Sequence, residues 1–389
     1  MDAFKFNLPT DIHFTDDHIA SLKESLTSQR FKKLILLYGE GSIKRLGLYD
    51  EIIDLFKGLN ISYAEMGGIP ANPTLSKVIE ARTIILEESC DFILAVGGGS
   101  VMDAAKAIAV AAYVKEDEIW DIFERKRWFE KALPLGVVVT LSGTGSEVNG
   151  NAVINNDFTG IKWSIGSPLL RPVFAVINPA FQNGLNTPAY KATTLDIIHH
   201  TLEQFIDDTP DTSTSDYLMV GLIQSVQENF QKVLEDKATI DTYKNLSWAS
   251  SLGLSFIFQV GKKGAWESHR ISYPITAKFN VIHGYALTMV IPAWLKYVYD
   301  EENDVFKKRL DFLGEHLFNG AKGKDVIDAL KDYYRDTGAP VSWSDAGLQK
   351  PNDQTLKEMA HDVMKHGELG KLKTLDESKL VEIYHLIGA

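Results

Sequence analysis

The sequence predicts an α/β domain with a parallel sheet over residues 1–185 and an all-helical domain over residues 186–389. Short apolar runs alternate with helical patterns in the first part, as expected for a parallel sheet with helices on both faces. After about residue 187 only helical patterns continue. No low-complexity linker separates the two parts, which indicates that they pack closely around a cleft.

Four short runs of the first part predict strands, three of them apolar enough to be buried, and three stretches with helical periodicity between them predict helices. The strands are expected over 32–39, 61–67, 91–99 and 133–141, and the helices over 42–59, 73–89 and 100–113. Ligands of such sheets bind at the carboxyl ends of the strands. The loops that follow the strands are therefore the first candidates for a binding site.

The second part begins with a helix start signal, Thr187 followed by Pro188. Threonine is a common N-cap, and proline is favoured at the first helical position. Further helical patterns span 214–235, 238–258, 265–279, 284–300, 303–318, 324–336, 353–365 and 377–387.

Composition restricts the classes of partner. The net charge of −12 argues against nucleic acid, whose binders carry basic surfaces. No apolar stretch approaches the ~20 residues of a membrane span, and the N-terminus does not resemble a signal peptide. The single cysteine, Cys90, excludes an internal disulfide and is expected in the core. We therefore expect a cytoplasmic protein that acts on a small molecule.

Three consecutive glycines, Gly97, Gly98 and Gly99, join a predicted strand to a predicted helix. Such a turn lets the backbone approach a phosphate, and the helix start supplies free N–H groups and a positive dipole end. Ser100 adds a hydroxyl. The pattern differs from the usual G-x-G-x-x-G fingerprint, and a tight turn without a ligand is the simpler alternative.

Two further loops with glycines and hydroxyls follow predicted strands, at 38–44 and 140–150. Each alone is weak support for a ligand. Together with the glycine triplet they favour one long phosphorylated molecule across neighbouring strand ends, with the adenosine half of a dinucleotide at 38–44 and the nicotinamide end at 140–150.

An acid and two histidines, Asp196, His199 and His200, lie within one helical pattern. Positions four apart share a helix face, so Asp196 can work with His200, whereas His199 points about 100° away. His269 and His283 would complete a set of four, and imidazoles with a carboxylate suit Fe²⁺ or Zn²⁺. Unrelated surface or core histidines are the alternative.

Four ordered motifs resemble the iron-dependent (group III) alcohol dehydrogenase family, in its branch of butanol dehydrogenases and broad-range NADPH aldehyde reductases. They are AVGGGSVMDAAKAIA, TLSGTGSEV, D-x-x-x-H-x-x-E-Q-F and two histidines separated by 13 residues, the second followed by glycine. The resemblance extends over nearly the whole chain. It implies a dehydroquinate synthase-like fold, with a dinucleotide-binding domain and a helical metal domain.

The resemblance also implies roles for individual residues. The metal set of the family corresponds to Asp196, His200, His269 and His283, with His199 as a neighbour on another face. The cofactor-binding positions correspond to Gly39, Ser42, Asn72, Gly97, Gly98, Gly99, Ser100, Asp103, Thr140, Ser142, Thr144, Ser146 and Lys162.

The implied reaction is hydride transfer between NAD(P)(H) and a small aliphatic primary alcohol or aldehyde, such as butanol or butanal, in a homodimer that contains Fe²⁺ or alternatively Zn²⁺. The apolar stretch 251–269 is expected as a helix that lines the pocket, although Phe256 and Phe258 also suit a core. NADP(H) is favoured because Gly39 replaces the acid of NAD-selective relatives and Ser42 can donate to a 2′-phosphate. The charge of Glu40 opposes this preference.

One position departs from the family. Most members carry a second histidine four residues after the third metal ligand, where this chain has Tyr273. The phenol, with a reference pKa of ~10 against ~6.5 for histidine, either fills space or donates a hydrogen bond near the substrate oxygen, as a catalytic residue.

Two other functions fit part of the motif pattern. A lyase resembling dehydroquinate synthase combines a dinucleotide with a metal, but its phosphorylated acid would need more cations than Lys262, Lys263 and Arg270. A non-catalytic sensor of metal and nucleotide is disfavoured because every ligand and loop of the family pattern is present.

Overall fold

The computed structural model describes residues 1–299, 303–365 and 367–388. Its contacts divide the chain into two compact units. The α/β unit comprises Asn7–Gly184 and Thr239–Ser255, and the helical unit comprises Met1–Phe6, Leu185–Ala238 and Phe256–Ala389. The main change of unit thus lies at residues 184 and 185, but each unit also takes one segment from the other half of the sequence.

Six strands of the α/β unit form a parallel sheet in the order β1-β8-β5-β4-β2-β3. They are β1 (Asp11–Phe14), β2 (Leu34–Gly39), β3 (Tyr63–Ile69), β4 (Phe92–Gly97), β5 (Leu135–Val139) and β8 (Phe174–Ile177). The four predicted strands are confirmed, and the short β1 and β8 were not predicted. Alternate residues of β2 enter two cores, with Ile35 and Leu37 on one face and Leu34 and Leu36 on the other.

The α/β unit contains six α-helices from residues 18–123 and a seventh from residues 240–253. They are α1 (His18–Ser28), α2 (Ser42–Arg45), α3 (Leu48–Leu59), α4 (Leu75–Glu88), α5 (Gly99–Ala111), α6 (Ile119–Phe123) and α9 (Ile240–Gly253). The predicted helix 42–59 is interrupted at Gly47, whose φ of +74° is left-handed. The prediction of one continuous helix over 42–59 was therefore wrong at this position.

A two-stranded antiparallel hairpin was also not predicted. Strands β6 (Asn151–Asn156) and β7 (Ile161–Gly166) pair in register, and Gly160, with a φ of +71°, closes the turn. Alternate residues of β6 are buried, which is the pattern of a strand with one face on a core. Strand β6 of the hairpin packs against α5, the helix that begins at the glycine triplet.

The prediction that the second part contains no regular sheet is confirmed for the described residues. The helical unit contains the remaining helices. They are α7 (Pro188–Phe205), α8 (Ser213–Leu234), α10 (Glu267–Phe279), α11 (His283–Tyr299), α12 (Asp304–Leu317), α13 (Lys324–Asp336), α14 (Asp353–Met364) and α15 (Glu377–Leu386). The last residue of the predicted helix 284–300 lies outside the described residues. None of the described helices is long and apolar enough to cross a membrane.

The expectation of one helix over 251–269 was wrong. Helix α9 ends at Gly253, and the chain then passes through left-handed backbone at Phe256, Gly261, Gly264 and Trp266 before α10 begins. Left-handed residues cannot continue an α-helix, so the aromatic residues of this stretch are placed by turns.

Candidate active site

Helix α7 brings an acid and a histidine together inside the helical unit. The hydroxyl of Thr187 caps the helix by accepting a hydrogen bond from the Tyr190 backbone N–H at 3.2 Å, as predicted. One turn apart, Asp196 and His200 are both buried, and Asp196 Oδ1 lies 3.6 Å from His200 Nε2. The helical spacing therefore converges the two side chains on one point.

His269 of α10 joins this pair. Its Nε2 lies 3.8 Å from Asp196 Oδ1, and its ring stacks on that of His200 with the centroids 4.9 Å apart. Asp196, His200 and His269 offer ligand atoms that all lie within 4.8 Å of one another. Ligands of a tetrahedral metal site, each about 2.0–2.2 Å from the ion, lie roughly 3.3–3.6 Å apart. The distances of 3.6 and 3.8 Å from Asp196 Oδ1 to the two histidine Nε2 atoms are close to that spacing and too long for hydrogen bonds.

The ligand atoms also satisfy a second criterion for a metal site. Asp196 Oδ1 and His269 Nε2 are buried and have no hydrogen-bond partner among the described residues. Buried polar atoms almost always have a partner. A divalent cation bound between these atoms would supply it, and a carboxylate with imidazoles is a suitable donor set for iron or zinc.

His283 lies beside the three-residue cluster, as the first residue of α11. Its ring centroid is 5.4 Å from that of His269. The next residue, Gly284, packs against α7, because a Cβ there would lie 2.0 Å from the Ala192 carbonyl oxygen. This glycine lets α11 begin one turn from Asp196 and explains why it follows the histidine in the sequence motif.

The cluster combines a carboxylate that is held ionised with imidazoles whose pKa values are shifted in opposite directions. Burial alone would raise the pKa of Asp196, but the imidazoles of His200, His283 and His269 outweigh it and hold that pKa well below its usual range. Burial lowers the pKa of His200 to about 4. For His269, burial lowers the pKa, but the carboxylates of Glu203 and Asp196 outweigh it and raise it to about 9.

Glu203 was not singled out from the sequence, although the quoted motif contains it. Its Oε2 lies 2.6 Å from His269 Nδ1, and its Oε1 accepts hydrogen bonds from the backbone N–H and hydroxyl of Ser268. A carboxylate at Nδ1 fixes the imidazole tautomer and directs Nε2 toward Asp196. The available signal was its position, three residues after His200 on the same helix.

His199 contributes to packing. It is fully buried, and its ring meets that of Tyr334 edge-on at 5.4 Å. Burial lowers the pKa of His199 to about 3, so the ring is neutral at pH 7.

Two aromatic side chains lie against the histidines, and a third packs behind one of them. The Tyr273 ring centroid is 6.1 Å from that of His283. Trp266 lies 5.5 Å from His269 and 6.3 Å from His200, with Phe256 at 5.8 Å behind it. The indole N–H donates to Gln259 Oε1 at 2.8 Å. Sequence reasoning missed Trp266, because its position depends on the left-handed turns of 254–266.

In the α/β unit, strands β2, β4 and β5 are neighbours in the sheet, so the three loops predicted to bind a dinucleotide follow adjacent strand ends. The loop at 140–150 joins the glycine triplet directly, since the Thr140 backbone N–H donates to the Gly97 carbonyl oxygen at 3.0 Å. Helix α5 begins at Gly99, and no side chain caps it. The N–H groups of Gly99 and Ser100 precede the first bond of the helix start, which the Val101 N–H donates to the Gly98 carbonyl oxygen at 3.1 Å. Such N–H groups bind phosphate at other helix starts.

Close packing also requires two of the glycines. A Cβ at Gly97 would lie 2.4 Å from the Val101 side chain, and one at Gly99 would lie 2.5 Å from that of Thr144. The triplet therefore brings the start of α5 against the 140–150 loop, whatever else it binds.

Several predicted cofactor positions make internal hydrogen bonds. Ser142 accepts from the side chain of Gln182 at 3.0 Å. Ser146 donates to Asp103 Oδ1 at 2.7 Å and accepts from Lys106 Nζ at 2.6 Å. Both serines are buried, as is Thr140, whereas Thr144 is partly exposed.

The remaining predicted cofactor positions are at least partly exposed. Lys162 of β7 donates to Asn72 Oδ1 at 3.2 Å, and the neighbouring Ala71 accepts a hydrogen bond from Ser100. Gly39 ends β2, and Ser42 is the first residue of α2. Between them, Glu40 is exposed.

Comparison with known proteins identifies the family. A model described as iron-containing alcohol dehydrogenase matches residues 9–179, and one described as the C-terminal part of the Fe-containing alcohol dehydrogenase family matches residues 190–387. The chain is 32% identical over 391 residues to the probable NADH-dependent butanol dehydrogenase 2 of Bacillus subtilis (strain 168), covering 98% of this chain and 99% of that protein.

Two further relatives agree. The chain is 31% identical to the NADPH-dependent aldehyde reductase YqhD of Escherichia coli (strain K12), covering 98% of this chain and 99% of that protein. The crystal structure of NADH-dependent butanol dehydrogenase A from Thermotoga maritima superposes with a TM-score of 0.91 at 34% identity, covering 100% of this chain and 99% of that one. The chain therefore belongs to the iron-containing alcohol dehydrogenase family and, as its sequence predicts, is a nicotinamide-dependent alcohol dehydrogenase or aldehyde reductase.

Proposed function

We propose that Asp196, His200, His269 and His283 hold one divalent metal ion, Fe²⁺ with Zn²⁺ as the alternative, and that a small aliphatic aldehyde or primary alcohol reacts beside it with NADP(H). The observation that carries this proposal is the convergence of buried Asp196 Oδ1, His200 Nε2 and His269 Nε2 within 4.8 Å. The ring of His283 lies next to them and supplies the fourth ligand.

Glu203 acts in this proposal as a positioning residue. Its bond of 2.6 Å to His269 Nδ1 leaves Nε2 as the ligand atom, and its bonds to Ser268 hold the carboxylate in place. Partners of this kind orient metal-ligating histidines and raise their basicity.

The metal, when bound, would polarise the carbonyl of an aldehyde and lower the pKa of an alcohol hydroxyl. The ring centroid of Tyr273 lies 6.1 Å from that of His283, and we assign its hydroxyl as a hydrogen-bond donor to the substrate oxygen. Trp266, with Phe256 packed behind it, supplies an apolar surface beside His200 and His269. This surface suits the chain of an aliphatic substrate, and a four-carbon substrate agrees with the names of the relatives from Bacillus subtilis and Thermotoga maritima.

The coenzyme is assigned to the loops at the ends of β2, β4 and β5. Gly97, Gly98 and Gly99 and the uncapped start of α5 offer backbone N–H groups to a pyrophosphate. Partly exposed Asn72, Thr144 and Lys162 offer side-chain contacts. Gly39 and Ser42 leave space and a hydroxyl for a 2′-phosphate, which favours NADP(H) over NAD(H).

The experiment that tests the proposal is steady-state kinetics of butanal reduction and butanol oxidation with both coenzymes. The protein should be purified without oxygen, and its iron and zinc should be determined on the same sample. We expect stoichiometric metal, coenzyme oxidation that depends on butanal, and loss of both on treatment with a chelator. A lyase for a phosphorylated acid, or a non-catalytic sensor, would bind coenzyme and metal but would neither reduce butanal nor oxidise butanol.

We also propose a cytoplasmic homodimer. A reducing compartment suits Fe²⁺ and a free thiol, and Cys90 is a free, buried cysteine.

The aromatic pair Phe14 and Trp248 of the α/β unit is exposed at the edge strand β1, with the ring centroids 6.1 Å apart. Light scattering on the purified protein would give the mass of the assembly, and a monomer at micromolar concentration would refute the dimer.

A further inference from the structure

Helix α5 contains a buried lysine that neither the metal centre nor the predicted cofactor contacts include. The side chain of Lys106 is fully buried and makes three hydrogen bonds. Its Nζ donates to Ser146 Oγ at 2.6 Å, to Asn149 Oδ1 at 3.1 Å and to the Asn151 carbonyl oxygen at 2.8 Å. An ammonium group has three N–H donors, so each donor of Lys106 has one oxygen.

These acceptors belong to the end of the 140–150 loop and the first residue of β6. The loop lacks regular structure, and its Gly145 adopts a left-handed φ of +55° with Ser250 and Leu254 too close for a Cβ. Side chains of the neighbouring helices α5 and α9 therefore hold the loop in place through hydrogen bonds. Lys106 fixes three points of this segment with one charged group, and hydrogen bonds to a charged group are about twice as strong as neutral ones.

Asp103, one turn earlier on α5, completes the arrangement. It accepts from Ser146 Oγ at 2.7 Å and from the Val153 backbone N–H at 3.0 Å. The Ser146 hydroxyl thus connects Lys106 to Asp103, and both charges are on the helix that begins at the glycine triplet. Burial lowers the pKa of Lys106 to about 8, while Asp103 and Glu147 counteract that effect, so the ammonium form predominates at pH 7.

We infer that Lys106 is a positioning residue for coenzyme binding, which holds the 144–151 segment in a fixed place relative to the phosphate-binding start of α5. Lys106 is too deeply buried to contact a coenzyme and acts through Ser146, Asn149 and Asn151. The inference rests on the proposed assignment of the coenzyme to these loops. It also gives Asp103 and Ser146 a supporting role in place of direct contact.

The test compares Lys106→Met with the wild-type holoenzyme. Methionine keeps an unbranched apolar stem and removes the three donors. We expect the Kd and KM for NADPH to rise by about tenfold or more, while the metal content and the KM for butanal change by less than about twofold. A purely structural lysine would lower Tm and the active fraction without raising the coenzyme Kd of the folded protein.

Thr10→Val is the matched control, because buried Thr10 also makes a hydrogen bond in the α/β unit, to the Pro172 carbonyl oxygen at 2.8 Å, but does not bind the loop. It should lower Tm and leave the Kd for NADPH unchanged. Ser146→Ala provides a second test if Lys106→Met does not fold, and we expect its Kd for NADPH to rise by about threefold or more.

Unchanged coenzyme affinity in the folded Lys106→Met protein, or in Ser146→Ala where the lysine variant does not fold, would overturn the inference. Failure of the proposed coenzyme site has a different signature. In that case Lys162→Ala, which removes a partly exposed cation assigned to coenzyme contact, would also leave the Kd for NADPH unchanged.

Discussion

The two candidate binding regions differ in whether their buried polar atoms have hydrogen-bond partners within the protein. At the candidate metal site, Asp196 Oδ1 and His269 Nε2 converge without a hydrogen-bond partner among the described residues. In the 140–150 loop, the hydroxyls of Ser142 and Ser146 are already bonded within the α/β unit. Residues that resemble a family's site can therefore bind the ligand directly or shape the loop that does, and only the partners of each atom separate the two roles.

The largest effect should come from removing a side chain with a converging ligand atom. Asp196→Ala should reduce metal content to background and abolish turnover, because a site that loses one of four ligands also loses the support of its neighbours. Metal analysis after anaerobic purification would measure this. The control is His361→Ala, which removes an exposed imidazole of the same unit. Stoichiometric metal with near-normal turnover in Asp196→Ala, or in His283→Ala, would refute the ligand set.

A smaller loss is expected from the residue behind the ligands. Glu203→Gln keeps the size of the side chain but removes the carboxylate that accepts from His269 Nδ1. Metal affinity should fall by about 10–100-fold, as measured by competition with a chelator. Ser268→Ala removes only one hydrogen bond to Glu203 and should have a weaker effect. Equal metal affinity in Glu203→Gln and wild type would show that His269 needs no such partner.

The helical spacing of this centre could be predicted from sequence, because Asp196 and His200 are local to one helix. The positions of His269 and His283 depended on the family resemblance, since the packing of α10 and α11 on α7 is a long-range property. The packing at Gly284 that places His283 could not be predicted from periodicity. Glu203 was visible in the motif, but the sequence does not specify which imidazole it meets.

The fold was predictable to a similar degree. Apolar runs predicted the buried strands β2, β4 and β5, and a mixed run predicted the partly exposed edge strand β3. The four-residue strands β1 and β8 gave too short a pattern. The pattern over 238–258 predicted a helix, but periodicity does not specify the unit in which a helix packs. Only contacts such as Gln182 with Ser247 assign α9 to the α/β unit. Trp266 was missed because left-handed backbone at non-glycine residues has no reliable sequence signal.

Tyr273 provides a test of a side chain that lies beside the metal set without being a ligand. If its hydroxyl donates to the substrate oxygen, Tyr273→Phe should lower kcat by roughly tenfold, about 1.4 kcal/mol, and alcohol oxidation should be favoured at alkaline pH. The control is Tyr384→Phe, which removes a buried phenol hydroxyl bonded to the Ile271 carbonyl oxygen. Near-normal kcat and an unchanged pH–rate profile in Tyr273→Phe would assign the ring to filling space.

The smallest effect concerns coenzyme choice at the end of β2. Glu40 is exposed and lies between Gly39 and Ser42, where its carboxylate would repel a 2′-phosphate. Glu40→Gly should raise the ratio of kcat/KM with NADPH to kcat/KM with NADH by about two- to fivefold. The effect is small because an exposed charge contributes no more than ~1 kcal/mol. Glu40→Gln removes the charge without adding backbone freedom and should give a similar ratio. Because salt screens exposed charges, the difference between wild type and both variants should shrink as ionic strength rises. A wild-type protein with higher kcat/KM for NADH would overturn the proposed preference, and a variant effect that is independent of salt would assign the role of Glu40 to the shape of the loop.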